Sequence, residues 1–417
     1  MRIGIQGWGS EGDLRPLVAL AAGLRARGHE VRVVLTPVDG SDHRPLCERA
    51  GVPLRIVPEG PLDFTLDRVA TDAQSVDPLK ISRELNERAF FPFLDALYAS
   101  ALELCEASDV VLWHYSAWYV RAAALKTQTP DGSVHFFPGL VPSRHVPPSG
   151  LPNLGPLNRS LWWMARTALD LQFRKRPAQF FSDHGLPPIR HVLPDLLFSD
   201  RLNLHAFSPL LVPPQRDWSP TQKVCGQFVV SHALESWKPS PALEAFLSEG
   251  ERPVLMTLGS MEHFAPARAR ALLASAARKA GVRAIVQTKR SELESCDRDV
   301  FFLPWAPHEA LLPRCSAMVH HGGAGTTHTA LRAGVPSVPV PFIMEQKLWA
   351  DRIHKLGCAT KPVDFWKANA DMLAKALQEV IGSPALKARA AEMGVRVSAE
   401  DGVRAAAELL ETTHSPS

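Results

Sequence analysis

Paired cysteines are missing from this sequence. Cys47, Cys105, Cys225, Cys296, Cys315 and Cys358 form no C-x-x-C pair. Structural zinc and a disulfide framework are therefore not expected, and scattered thiols fit a reducing cytoplasm. An excess of charge is missing too. The chain has 46 basic and 43 acidic residues, a net charge of +3. Its longest basic block is Arg174-Lys175-Arg176, so nucleic acid is not an expected partner. No apolar window approaches the roughly 20 residues of a membrane span. The opening Met1-Arg2-Ile3-Gly4-Ile5-Gln6 is too short an apolar run for a secretory leader and reads as a strand. Disorder is excluded by a hydrophobic content of 46%, ordinary for a globular protein. Proline is plentiful, at 36 residues, and punctuates turns and helix starts. At about 150 residues per domain, the 417 residues make two or three domains.

The order of elements predicts an α/β fold. Arg2–Gln6 reads as a buried strand, Gly7–Gly12 as a turn and Leu14–Gly28 as a helix. Val31–Thr36 is a second strand, rich in β-branched residues. Such a βαβ unit implies parallel strands. Leu54–Val57 and Val110–Trp113 read as further strands, and Leu79–Glu106 as helix. Residues Pro142–Pro214 read as loops and irregular helices, with helix at Leu161–Phe173. A second alternation begins at Pro253. Strands are expected at Val254–Leu258, Arg283–Thr288, Val300–Leu303, Ala317–His320 and Ser337–Pro341. Helices are expected at Ala265–Gly281, Thr326–Gly334, Glu345–Gly357 and from Leu386 onward. This predicts domains at 1–220 and 253–385, a linker at 221–252 and a C-terminal helical segment at 386–417. Ligands in such sheets bind beyond the carboxyl ends of the strands.

Gly7-Trp8-Gly9-Ser10-Glu11-Gly12 is a literal G-x-G-x-x-G between a strand and a helix. Two features oppose a dinucleotide there. The second strand ends Leu35-Thr36-Pro37 without the expected acid. Asp13 would compete with a pyrophosphate for the helix-start amides. Asp13 instead caps the helix and can still present an oxygen to a substrate.

The segment His320-His321-Gly322-Gly323-Ala324-Gly325-Thr326-Thr327 also joins a strand to a helix. Its glycines admit close backbone approach. The helix start offers amides and partial positive charge, the threonines offer hydroxyls, and His321 adds a donor or, protonated, a charge. Together they suit a diphosphate. Ser260 ends a nearby strand, Trp305 sits between prolines where its indole can stack on a base, and Glu345-Gln346 opens a helix with groups that bind sugar hydroxyls.

These segments resemble family 1 glycosyltransferases. The C-terminal stretch HHGGAGTTHTALRAGVPSVPVPFIMEQKLWADRIHKLG is similar to that family's donor-binding signature. The opening GSEGDLRPLVALAAGLRARGHEVRVVLT and the strand GERPVLMTLGSM are similar to its other motifs. The nearest likeness is to lipid-directed and natural-product members, such as sterol glucosyltransferases and rhamnosyltransferases. The resemblance implies a GT-B fold: two Rossmann-like domains with parallel sheets facing across a cleft, and a C-terminal helix returning to the N-terminal domain. It implies inversion without a metal and without a cofactor, the nucleotide sugar being a co-substrate. Trp305 would stack on the base, with the backbone of Ala306 and His308 reading its edge. His321, Gly323, Ala324, Gly325 and Thr326 would hold the diphosphate near Ser260. Glu345 and Gln346 would bind the sugar, where the family commonly has Asp-Gln.

The expected activity is transfer of a hexose from a UDP or TDP sugar to a hydroxyl of a small apolar acceptor. A weak hydroxyl nucleophile needs a base. Asp13 is the first candidate; the second is a dyad in which His114 takes the proton and Asp13 orients it. Trp113, Trp118 and Phe137, with Phe136, Trp162 and Trp163, supply apolar acceptor walls. Trp162-Trp163 with Arg174-Lys175-Arg176 also offers a contact for a membrane surface. The competing classes are a non-catalytic nucleotide-sugar-binding helper and another GT-B enzyme such as a nucleotide-sugar epimerase.

Overall fold

The computed structural model describes residues 1–58, 83–230, 237–288 and 294–414. They divide into two units, one from 1–58, 83–230 and 401–414, the other from 237–288 and 294–400.

The first unit holds a seven-stranded sheet: β1 (Arg2–Gly9), β2 (Glu30–Pro37), β3 (Leu54–Ile56), β4 (Val110–His114), β5 (Asp131–His135), β6 (Leu202–His205) and β7 (Gln222–Val224). Its order is β3-β2-β1-β4-β5-β6-β7, and every pairing is parallel. Val31, Val33, Ile3, Ile5, Val110 and Leu112 pack with Leu14, Leu17, Leu20 and Leu24 of the first helix, Glu11–Ala26, in one core. Val34, Val111 and Trp113 enter a second core, with Leu97, Ala101 and Tyr119. Burial on both faces explains the nearly continuous apolar strands. Gly7 and Gly9 belong to β1, not to the expected turn. A Cβ on Gly7 would lie 2.4 Å from Leu17 Cδ1 and 2.8 Å from Leu14 Cδ2. That glycine seats the helix rather than bending the chain.

Other expectations are revised in this unit. The start of the expected Leu79–Glu106 helix, 79–82, lies outside the described residues. Residues 83–85 are helical, irregular turns follow over Asn86–Phe90 and Phe91–Phe93, and regular helix resumes at Leu94–Glu106. Proline at 92 lacks an amide hydrogen for a continuous ladder. The region read as loops and irregular helices holds the expected helix, over Asn158–Phe173, and two more at Lys175–Asp183 and Val192–Leu197, and then β6, which was not expected.

The second unit holds a six-stranded sheet: β8 (Val254–Thr257), β9 (Ala284–Gln287), β10 (Ser295–Asp297), β11 (Val300–Leu303), β12 (Ala317–His320) and β13 (Ser337–Pro339). Its order is β10-β11-β9-β8-β12-β13. Only the edge strand β10 is antiparallel among these pairs. Helices Pro266–Ala280 and Ala370–Gly382 contribute Leu273, Ala277, Leu373 and Leu377 to one core, while Leu243, Leu311 and Ala330 enter another.

The expected linker is divided. Gln222–Val224 joins the first sheet, while helix Pro241–Ser248 belongs to the second unit. The expected 386–417 segment is divided as well. Helix Pro384–Ser398 stays with the second unit, and helix Gly402–His414 belongs to the first. There Ala406, Ala407 and Leu410 enter the core beside Leu17 and Leu24, and Glu411 binds Arg27 and His29.

In each sheet the chain order reverses next to the strand that begins it: between β1 and β4, and between β8 and β12. Ligands of open α/β sheets gather outside such switch points.

Candidate active site

Asp13 and His114 lie at the first switch point. β1 ends at Gly9, and Asp13 sits in the first turn of helix Glu11–Ala26. Its Oδ2 accepts hydrogen bonds from the Ser10 amide at 2.9 Å and the Ser10 hydroxyl at 2.8 Å. Gly9 makes room for this carboxylate, because a Cβ there would lie 2.6 Å from Oδ2. A second carboxylate, Asp39, accepts from the Glu11 amide at 3.0 Å. This helix start is therefore closed by the chain's own anions, and a dinucleotide phosphate has no place there.

His114 ends β4 behind Asp13, with its Nε2 3.7 Å from Asp13 Oδ1. Its side chain is 3% exposed, against 33% for Asp13. Nδ1 lies 2.9 Å from the Trp8 carbonyl. A carbonyl can only accept, so Nδ1 carries the hydrogen and Nε2 keeps its lone pair toward Asp13. Ser116 donates to the same carbonyl and lies 2.7 Å from Nδ1. Burial pushes the His114 pKa below its ordinary value, against the opposing pull of Asp13 and the Trp8 carbonyl. His114 is thus a neutral ring behind the carboxylate. Asp13 is the one with an accessible side chain, reversing the order in which the dyad was expected to meet a substrate. Ser10, Ser116 and Trp8 had not been singled out; Ser10-x-x-Asp13 has the spacing of a capping box.

The acceptor candidates separate. Trp113 is fully buried and donates to Asp131 at 2.8 Å. Trp118 is buried among Phe90, Phe180 and Phe181. Both are core residues, as large rings usually are, and neither offers a wall to a ligand. Phe136 is buried and stacks on His114 at 5.5 Å. Phe137, half-buried just past β5, is the one of the three named acceptor contacts outside the core.

The candidate anion site lies at the second switch point. After β12 the chain bends at His321 and Gly322, and helix Ala324–Arg332 begins with Gly323 as its N-cap. The first bond of this helix runs from the Thr327 amide to the Gly323 carbonyl, so the amides ahead of Thr327 point toward the space before it. No acidic residue occupies its first turn. The contrast with helix Glu11–Ala26 is chemical: one start is closed by carboxylates, the other is left positive.

The His321 ring lies between two glycines. A Cβ on Gly323 would fall 2.4 Å from its Nε2, and one on Gly259 2.7 Å from its Cε1. Gly322 has φ +84° and faces the Gln346 carbonyl, 2.8 Å from where a Cβ would be. His320 fixes the bend by accepting from the Gly322 amide at 3.1 Å. Burial lowers the His321 pKa to about 4 and that of His320 to about 3. His321 is therefore a neutral donor at pH 7, not the charged one allowed from sequence. His321 Nδ1, His320 Nε2 and Thr327 Oγ1 are buried with no hydrogen-bond partner among the described residues. Unsatisfied buried groups clustered at one bend mark a place for a polar ligand.

The remaining donor candidates surround this bend in sequence and in the sheet. Ser260 is half-buried in the turn Gly259–Phe264 after β8. Trp305 is 49% exposed after β11, while Ala306 beside it is buried. His308 opens the short helix His308–Leu311, and its charge would oppose one on His321. Ala324, Gly325 and Thr326 form the first helical turn, with Gly325 exposed. Glu345 is half-buried in helix Met344–Lys355. Gln346 is buried, and its Oε1 accepts from the amides of Phe342 and Ile343. That oxygen closes the loop, leaving a sugar only the other end of the amide. Among the described residues, no group of His, Cys, Asp and Glu is arranged to hold a metal ion.

Residues 272–408 match the family described as erythromycin biosynthesis protein CIII-like, C-terminal domain. Over its whole length the chain is 35% identical to O-mycaminosyltylonolide 6-deoxyallosyltransferase of Streptomyces fradiae, covering all of both chains. It is 27% identical to a sterol 3-beta-glucosyltransferase of Arabidopsis thaliana, over 98% of this chain and 67% of that one. The crystal structure of the glycosyltransferase VinC in complex with DTDP shares the fold, with a TM-score of 0.67 and 21% identity over 100% of each chain.

Proposed function

The chain belongs to the family 1 glycosyltransferases of GT-B fold, and from that premise we propose that it moves a hexose from a thymidine or uridine diphosphate sugar to a hydroxyl of an apolar natural product. The observation that carries this reading is the His321 ring seated between Gly259 and Gly323 at a helix start free of acidic residues. The names of the relatives support it. One is named for a deoxyhexose and a glycosylated macrolide, another for a sterol, and VinC was crystallised with DTDP. These names favour thymidine diphosphate as donor nucleotide and a polyketide-like acceptor.

The second unit supplies the grip. The amides ahead of Thr327, the hydroxyls of Thr326 and Thr327 and the His321 ring meet the diphosphate, and they stabilise the charge that grows as the sugar–phosphate bond breaks. Trp305 covers the base, and Glu345 binds sugar hydroxyls. The first unit supplies the base. Asp13 Oδ2 is fixed by Ser10, while Oδ1 takes the acceptor proton as the new glycosidic bond forms. His114 stands behind Oδ1 with a lone pair aimed at it and steadies the protonated carboxyl. Attack opposite the leaving diphosphate inverts the anomeric centre. No metal or cofactor takes part in this scheme.

The test is a matrix of TDP- and UDP-sugars against hydroxylated macrolides, sterols and flavonoids, read by nucleotide release and product mass. Acceptor-dependent release of nucleotide supports transfer. Binding without turnover would favour the non-catalytic helper, and acceptor-independent conversion of the sugar would favour an epimerase.

A further inference from the structure

Large apolar side chains are exposed unevenly over the molecule. Leu151, Leu154, Leu157, Trp163, Met164 and Leu171 are 45–84% exposed, and all lie in one segment of the first unit. Helix Asn158–Phe173 turns Asn158, Trp162 and Leu169 inward, with Trp162 and Leu169 packed in a small core. Its opposite face carries Ser160, Trp163, Met164, Thr167, Ala168 and Leu171, spaced three and four apart. None of these is charged. A soluble helix normally reverses this pattern, with charge outward.

The exposure is not that of a loose strand of chain. Asn158 Nδ2 donates to the Arg144 carbonyl at 3.1 Å and to Asn153 at 2.8 Å, and its Oδ1 accepts from the Leu154 amide. Trp162 donates to the Val146 carbonyl at 2.8 Å. Asp170 holds His191 and the Val192 amide, each at 2.7 Å. The leucines and Trp163 are thus presented from a pinned support.

The edge of this face is basic. A groove of about 530 Å³ beside Trp163 is lined by Arg144, Arg159 and Arg166, with Asp217 its only acid. Asp217 is committed to Ser143 and the Arg144 amide. Among the described residues Arg159 and Arg166 have no hydrogen-bond or ion-pair partner. Arg174 and Lys175 follow at the end of the helix and are exposed. Two copies of this face brought together would oppose like charges. A surface that is apolar inside and acidic at its head groups complements it.

We propose that this face docks the protein on a bilayer of anionic lipids, with the apolar side chains entering the head-group boundary and Arg159 and Arg166 meeting lipid phosphates. The attachment is reversible, and each basic residue near such a surface contributes about fivefold in partitioning. It uses Trp163 as expected from sequence but not Trp162, which is buried. None of these residues belongs to the donor grip or the base, and of the acceptor walls expected from sequence the face claims Trp163 alone.

The experiment is flotation of the full chain with vesicles of phosphatidylcholine alone, or with phosphatidylglycerol added. The comparison variants are M164S/L171S and R159E/R166E, with thermal melts and light scattering on every protein. Association with the phosphatidylglycerol vesicles is expected. Each double variant should lose about tenfold or more while melting as the parent does. Salt should weaken the binding of the parent. Absence of binding to phosphatidylglycerol vesicles overturns the proposal. So does equal binding to phosphatidylcholine alone, or undiminished binding by folded variants. A parent that is dimeric and becomes monomeric on M164S/L171S would also overturn it, by assigning the face to a second copy. If a variant melts early, Trp163→Ser, which changes one outward side chain, is read in its place by the same criteria.

Discussion

At the scale of single residues, the proposed donor grip depends on a missing methyl group. In Gly323→Ala the new Cβ would meet His321 Nε2 at 2.4 Å, and the ring cannot retreat because Gly259 lies close on another side. Either the ring turns or the bend opens. Affinity for a thymidine diphosphate sugar should fall about tenfold or more, as expected when one charge-facing donor is displaced, with melting little changed. Calorimetry showing parental affinity would remove His321 from the diphosphate. Asp13→Asn separates binding from chemistry. Asparagine keeps a carbonyl oxygen for Ser10, so the helix start survives, but it cannot accept a proton. Turnover should drop by a factor of about 100 or more with nucleotide affinity retained. Near-parental turnover would exclude Asp13 as the base.

At the scale of elements, the helix that starts at the proposed anion site is braced from behind. Gly394, in helix Pro384–Ser398, approaches the backbone of Gly334 so closely that a Cβ would fall 2.6 Å from its Cα and 3.0 Å from the Leu331 carbonyl. Backbone cannot yield as a side-chain tip does. Gly394→Ala should therefore destabilise the second unit by roughly 1–3 kcal/mol, the usual range for overpacking. A denaturation midpoint within error of the parent would show that the helices separate freely. How much of this was readable in advance differs by element. The strands β1, β2, β8, β9, β11 and β12 are legible because burial of most of their residues on both faces leaves nearly continuous apolar runs. β5 escapes because Asp-Gly-Ser-Val-His is polar, yet it is fully buried. Two of its polar side chains find partners distant in the chain: Asp131 in Trp113, and Ser133 in Asn203. No local pattern carries that information. The His321 bend was legible because glycines, threonines and a histidine are concentrated in a few positions. The core roles of Trp113 and Trp118 were not, since a large ring reads alike in a core and in a pocket.

At the scale of the whole molecule, buried neutral histidines tie stability to pH. Burial lowers His205, His321 and His328 to about 4 and His320 to about 3, against about 6.5 in an unfolded chain. Between those values the unfolded state binds more protons than the native one. Stability is therefore full above about pH 6.5 and is lost as the pH falls toward 4, each ring contributing up to about 1.4 kcal/mol per pH unit. Denaturant titrations at about pH 7, 6 and 5, in steps of about one unit, should show the midpoint moving steadily down, and a flat profile would contradict the burial of these rings. The same linkage gives a signature for the donor site. A diphosphate against His321 favours the protonated ring and raises its pKa, so binding near pH 6 should take up a fraction of a proton that is absent near pH 8. Calorimetry of a thymidine diphosphate sugar in buffers of different ionisation heat measures that fraction directly. The sugar nucleotide is the right probe because both of its phosphates are esterified and do not titrate in this range. Uptake that vanishes in His321→Gln while binding persists would place the proton on this ring. Equal uptake in the variant would place it elsewhere, and the histidine would then be a steric part of the bend and not a partner of the phosphate.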